Sequence, residues 1–258
     1  MKGVKSLFFV GASLLGSLLA KSQTITVAAA ADLDAALTEL GAKYQQQTGS
    51  RVRFAFGSSG NLANQILNGA PFDLFFSADE SYPRQLVEAG AAESSSLYVY
   101  AVGRLVLWVP NSSTLDIEHR GLEVLLDPAV KKIAIANPQH APYGRAAEAA
   151  LRHAGIYEKV ADRLVLGENV SQAAQFVESG NAQAGLVALS HVLVPSVKGK
   201  GRYWEVPTDL YPPLRQAVVT VSHAASRKEA AEFLAYLKSK EAKADLGSFG
   251  FSLPQEKH

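Results

Sequence analysis

A chain of 258 residues with 48% apolar and 19% charged side chains can bury one large core or two ordinary ones, which excludes a disordered protein. It has no cysteine, so disulfides, thiolate metal sites, cysteine nucleophiles and a lipid-modified N-terminal cysteine are excluded as well. Acidic and basic residues nearly balance, and that argues against a nucleic-acid partner.

At the amino end, Lys2 and Lys5 precede an apolar run from Leu7 to Ala20. The run is short for a bilayer span but has the length of the apolar region of a secretory signal, and Ala20-Lys21-Ser22 offers small residues at the cleavage spacing. Residues 1–22 are therefore read as a signal peptide of an exported chain that begins near Gln23. Its removal takes away Lys2, Lys5 and Lys21 and leaves 22 basic against 24 acidic residues, a net charge of −2.

From Gln23 onward, strand-like and helix-like stretches alternate. Ile25 to Val27 predicts a short strand, followed by Ala28-Ala29-Ala30-Ala31-Asp32 and a helix carrying Leu33, Leu37 and Leu40, which Gly41 interrupts or Gly49 ends. In Arg51 to Leu67 the apolar residues Val52, Phe54 and Phe56 recur at period two. Gly57-Ser58-Ser59-Gly60 breaks that pattern, and Leu62, Ile66 and Leu67 resume at helical spacing. A strand, a serine turn and a helix in that order direct free N–H groups and the positive end of a helix dipole beyond the strand, a setting suited to a small anion.

Phe72 to Phe76 predicts another strand, ending at Ser77-Ala78-Asp79 before a helix over 83–89, which Asp79 caps. Further strands are expected at Leu105 to Val109, Lys131 to Ala136, Arg163 to Leu166 and Ala184 to Leu189, with helices over 145–153 and 172–178. In the tail, Trp204 to Val206 and Gln216 to Val221 read as strands, and Ser226-Arg227-Lys228-Glu229 as a capping box opening a helix to about Lys240. Such βα repeats imply an α/β protein with mostly parallel sheets and helices on both faces, here in two lobes.

Several chemistries are missing. The chain contains no GxSxG elbow, no HExxH, no GxGxxG and no GxxxxGK[ST]. Its six histidines, at 119, 140, 153, 191, 223 and 258, are scattered, and only His140 lies in a candidate site loop. Asp32 and Asp79 are the only acids at cleft-facing turns, and nothing in the sequence pairs them for catalysis.

Six segments carry a resemblance: ITVAAAADL from Ile25, FGSSGNLANQI from Phe56, NGAPFDLFFSAD from Asn68, ANPQHAPYGRAAEAAL from Ala136, GENVSQA from Gly167 and AGLVALS from Ala184. In order and over nearly all of the mature chain, they resemble the periplasmic molybdate-binding proteins of ABC transporters. The resemblance implies a two-lobed type II periplasmic binding fold, one lobe from residues 23–100 plus 207–258 and the other from 101–206. It also implies a non-enzymatic, cofactor-free and monomeric receptor that binds molybdate or tungstate and delivers it to a membrane permease.

By position, the resemblance puts the oxyanion contacts on Ala31 and Asp32, on Ser58 and Ser59, and on the backbone N–H groups of Tyr143 and Val170. A tyrosine hydroxyl found in some members would fall at Ala188, which cannot supply it. Asp32 departs as well, because an ionised carboxylate aimed at a dianion repels it. The expected resolution is that its side chain caps its own helix. Protonation of Asp32, or a different ligand such as sulfate, are the alternatives. A secreted serine hydrolase using Ser58 or Ser59 is the reading from another class, and it requires a histidine beside the serine turn.

Overall fold

A computed structural model of the protein describes residues 24–254, so the signal peptide expected over residues 1–22 lies outside the described residues. Each apolar run followed by a polar turn folds as a strand feeding a helix. β1 (Thr24–Ala30) passes through a 3-10 turn at Ala31–Leu33 into α1 (Asp34–Thr48), β2 (Arg51–Gly57) leads to α2 (Ser59–Leu67), and β3 (Leu74–Ser77) leads to α3 (Ser81–Glu88). α1 runs straight through Gly41, where a Cβ would sit 2.7 Å from the Phe54 ring, and stops at Gly49, whose φ of 76° is the left-handed cap conformation.

β4 (Tyr98–Gly103) and β5 (Leu105–Pro110) follow, then a short α4 (Ile117–Arg120), β6 (Ile133–Ala136), α5 (Pro142–His153), α6 (Tyr157–Val160), β7 (Leu164–Gly167), α7 (Val170–Glu178), β8 (Ala184–Ala188) and α8 (Leu189–Val192). β9 (Gly201–Glu205), β10 (Leu214–Thr220), α9 (Arg227–Leu237) and α10 (Lys240–Ser248) complete the described chain.

The strands form two five-stranded mixed sheets, in the orders β2-β1-β3-β10-β4 and β7-β6-β8-β5-β9. β1 is parallel to both of its neighbours, and so is β6. Both strands are buried almost throughout, which is why Ala28, Ala29 and Ala30 in β1 and Ala134 and Ala136 in β6 are small: helices press on both faces. The antiparallel strand in the first sheet is β10, which returns from the far end of the sequence to lie between β3 and β4. In the second sheet β5 pairs antiparallel with β8 and β9.

Each sheet is the centre of a lobe, and the chain crosses between them twice, at Arg104 and over 206–213. The two crossings are tied together: Val206 N–H donates to Leu105 O at 3.0 Å and Leu105 N–H to the Tyr211 hydroxyl at 3.2 Å. Next to them β10 carries a bulge between Gln216 and Ala217, which places the fully buried Gln216 side chain under the cleft.

Two local expectations are corrected, and β4, where no strand was expected, adds one to the first sheet. The tail holds two helices, with α10 docked on α1 through the Lys43 to Asp245 ion pair at 2.8 Å. Ser226 does stand at the start of α9, but it caps nothing there. Its N–H donates to Asp73, which also accepts from the N–H and hydroxyl of Thr26, so a buried carboxylate stitches β1 to the start of α9.

Candidate functional site

Residues from both lobes converge on one cavity. The turn at Ala31–Leu33 and the amino end of α2 reach it from the first lobe, and the amino ends of α5 and α7 from the second. Its lining includes Ala31, Asp32, Ser58, Ser59, Tyr143 and Val170, so all six residues singled out in the sequence meet there. Gly57, Ala78, Pro142 and Asn169 fill the gaps, and the cavity is tight, with a volume of about 10 Å³ for the centre of a water-sized sphere. Ala188 is fully buried in β8 and is not among the lining residues.

Strand ends deliver the backbone here because each parallel strand points its carboxyl end at the cleft and each following helix starts beside it. First-turn N–H groups have no carbonyl of their own helix within reach, and this holds for Ser59, Tyr143 and Val170. Pro142 at the first position of α5 presets the helical φ and leaves Tyr143 as the first N–H of that end. Asn169 spends its side-chain oxygen on Gln172 N–H at 3.0 Å, capping α7 from the side.

The two serines differ. Ser59, with 0% exposure, accepts from the Ala78 N–H at 3.0 Å, which occupies an oxygen lone pair and leaves the hydroxyl hydrogen to be donated elsewhere. Ser58 Oγ lies 2.9 Å from His140 Nδ1, a contact across the cleft between residues that sequence reading had not connected. His140 Nε2 is 3.8 Å from Glu168 Oε2, and Asn61 already holds the other oxygen of that carboxylate. A serine, a histidine and a glutamate are thus in line, but the outer pair is too long for a hydrogen bond.

Asp32 contradicts the capping expectation. Its side chain caps neither the 3-10 turn nor α1 but accepts from Gln216 Nε2 on β10. It is only 5% exposed, and Oδ1 has no partner. The Tyr143 hydroxyl faces the same carboxylate closely enough to influence its titration, yet it too lacks a partner at hydrogen-bond geometry. Burial pushes the Asp32 carboxyl up to about 6, against smaller opposing effects of Gln216, Tyr143 and the backbone. Among the described residues, none that lines the cavity bears a cationic side chain.

The raised value fixes the sign of a stability effect. A carboxyl that binds its proton more tightly folded than unfolded contributes stability that is complete below about pH 4 and is lost as pH rises through about 6. At pH 7 the buried charge costs about 3 kcal/mol. Asp32→Asn removes that charge and keeps an acceptor for Gln216. In urea titrations of the anion-free protein the variant gains about 2–3 kcal/mol at pH 7 and shows no advantage at pH 4.

Outside the cavity the lobes hold each other directly. Gly60 N–H donates to His140 O at 2.9 Å, Ser171 Oγ to Ala31 O at 3.0 Å and Ser190 Oγ to Asp32 O at 2.7 Å. Arg145 on α5 spans the cleft mouth, bonding the Tyr82 hydroxyl at 2.9 Å and pairing with Asp79. Asp79 meanwhile accepts from Ser81 and Tyr82 N–H at the start of α3, so it is the cap expected and an interlobe anchor as well. The cleft is in its closed form.

Comparison with known proteins agrees with this geometry. Residues 25–252 match the family model described as bacterial extracellular solute-binding protein. The chain is 37% identical to the molybdate-binding protein ModA of Azotobacter vinelandii over 95% of both chains. It is 39% identical to that of Rhodobacter capsulatus, over 91% of this chain and 90% of the other. The solved structure of the Azotobacter vinelandii periplasmic molybdate-binding protein superposes with a TM-score of 0.85 at 36% identity, covering 90% of this chain and all of that one.

Proposed function

Because this chain belongs to the ModA family of bacterial extracellular solute-binding proteins, we propose that it captures molybdate outside the cytoplasm and delivers it to an ABC permease. Tungstate is the second ligand of this reading, and the receptor works as a monomer, without a cofactor and without chemistry on its cargo. The observation that carries it is the meeting of helix starts from two lobes on one small cavity lined by N–H and O–H donors.

Molybdate is fully ionised at neutral pH and offers only acceptors, so a set of donors suits it. Each charge-assisted hydrogen bond contributes roughly 1.5–3 kcal/mol, and about five of them give submicromolar affinity after ordering costs. Rigid helix ends set a cavity radius, and a smaller anion such as sulfate leaves some donors unmet. The donors are split between lobes, so the anion satisfies all of them only in the closed form and shifts the population toward it.

Calorimetric titration of the mature protein with molybdate, tungstate, sulfate and phosphate tests this. Tight molybdate binding with weak sulfate and phosphate binding is expected, and tight sulfate binding without a molybdate response would move the function to the sulfate alternative. The hydrolase reading gains the Ser58 to His140 contact, but the base and the serine sit on different lobes and the carboxylate stands off. Its test is turnover of a chromogenic ester that disappears in Ser58→Ala.

A further inference from the structure

Asp32 puts a carboxylate where an anion is to be held, and the surroundings decide its form. Oδ2 takes the Gln216 amide, and Oδ1 is buried and unpartnered in a residue that lines the cavity. Gln216 is itself held from below, its Oε1 accepting from the Tyr100 hydroxyl at 2.9 Å, so its amide is fixed toward Asp32 and cannot turn away. The network is neutral apart from Asp32.

Among the described residues, no cation relieves it from any neighbouring element. α5 presents Tyr143 and β4 presents Tyr100, and burial followed by the Asp32 charge holds both phenols well above the usual tyrosine range, so both stay neutral. α7 and α8 approach with Ser171 and Ser190, while His191 of α8 is turned to Glu178. α1 adds Asp34, another acid, exposed to solvent. β2 meets the turn at its Gly57 end, with Arg51 and Arg53 exposed at the other. A dianion entering beside an ionised Asp32 would therefore face an uncompensated like charge in a site shut off from water.

We propose that Asp32 enters the bound state as a carboxylic acid, so that capture of each fully ionised anion takes up one proton from solvent and pH sets how tightly this cleft holds it. The inference rests on the reading of the cleft as a molybdate site. The proton balance is simple: carboxylate plus solvent proton gives the acid, whose O–H joins the donors while Oδ2 keeps the Gln216 bond. The free cleft, with its carboxyl at about 6, is mostly ionised at pH 8, and the incoming dianion moves that equilibrium further toward the acid.

A site built on lysine or arginine loses anion affinity in the same direction, but only at the much higher pH where those cations deprotonate. Between about pH 7 and 8.5 the affinity for molybdate falls about tenfold for each unit of pH rise, and it levels off below about pH 6, where the free cleft already carries its proton. A phosphate that carries its own proton would instead donate it to an ionised Asp32 and need none from solvent.

The test is calorimetric titration of the mature protein with sodium molybdate at pH 6, 7 and 8, each in two buffers of different ionisation enthalpy, for wild type and Asp32→Asn. About one proton taken up per anion at pH 8 and fewer at pH 6 is expected. The variant should show no uptake and an affinity that stays flat with pH. Wild-type binding that is flat with pH and free of proton uptake overturns the proposal and leaves the molybdate reading standing. Uptake that persists in Asp32→Asn also overturns it. Absence of molybdate binding at every pH sinks the molybdate reading, and the proposal with it. The wild-type proton count decides even where the variant fails to fold.

Discussion

Ser59→Ala weakens molybdate binding by about 2–3 kcal/mol, roughly 30- to 150-fold in Kd, while the fold loses less. The serine contributes twice. Its N–H opens α2 toward the cavity, and its hydroxyl, already accepting from Ala78 N–H, has its hydrogen free to donate. Alanine keeps the backbone N–H, deletes the hydroxyl and leaves the Ala78 N–H without its acceptor in a region closed to solvent. The helix end remains, so binding is reduced and not abolished. Tyr143→Phe is the control, since the Tyr143 contribution expected is its backbone N–H and its hydroxyl has no hydrogen-bond partner. Titration should show a change below about 1 kcal/mol for that variant. A loss as large as that of Ser59→Ala would make the phenol a ligand contact.

Gly60→Ala acts on closure instead of on a donor. A Cβ at this position would lie 2.7 Å from His140 O, 2.9 Å from His140 Cβ and 2.6 Å from the Tyr82 hydroxyl. Two of those three atoms belong to the opposite lobe, so nothing within the first lobe can give way except Tyr82. The lobes must part by some tenths of an ångström, and the Gly60 to His140 hydrogen bond stretches with them. Overpacking of this kind costs about 1–3 kcal/mol, and here it is charged to the closed form alone, because an open cleft leaves space around Gly60. The expected result is a 10- to 100-fold weaker molybdate Kd with a thermal midpoint of the anion-free protein that does not fall by more than a few degrees. Small-angle scattering should find less compaction on adding molybdate. Equal damage to anion-free stability and to binding would mean that Gly60 matters for folding and not for closure.

Much of this architecture was legible from period and punctuation. The change from period two to helical spacing across Gly57-Ser58-Ser59-Gly60 identifies a strand, a turn and a helix with the right borders, because the residues that break the strand also start the helix. The turns at 137–144 and 167–171 also reach the cavity, but α5 starts at Pro142 and α7 at Val170, ahead of the helices expected over 145–153 and 172–178. β4 escaped because Arg104 alone separates it from β5, so two strands of different sheets look like one strand and its approach. α10 escaped because only Ala242 and Leu246 of its residues are buried, too sparse a stripe to mark a helix.

What failed at the site failed for one reason, which is distance along the chain. Asp32 before a helix has the local chemistry of a cap, and local chemistry is all that a turn displays. Gln216, the partner that claims it, is 184 residues away, at a bulge that no periodicity announces. The Ser58 to His140 contact spans 82 residues, and the Arg145 to Asp79 pair spans 66. Asp32 and Gln216 meet through the sheet of the first lobe, whereas closure brings the other two pairs together, so those two are properties of the lobe arrangement and not of any segment.

The central claim is that uncharged donors from two lobes hold one tetrahedral dianion between Ser58, Ser59, Tyr143 and Val170. Crystals of the mature protein grown with molybdate and measured across the molybdenum absorption edge test it most directly. The account predicts one anomalous peak within hydrogen-bond reach of the Ser59 hydroxyl and of the Tyr143 and Val170 N–H groups. A peak seated on surface lysines or arginines, or none in the cleft at saturating molybdate, would contradict it.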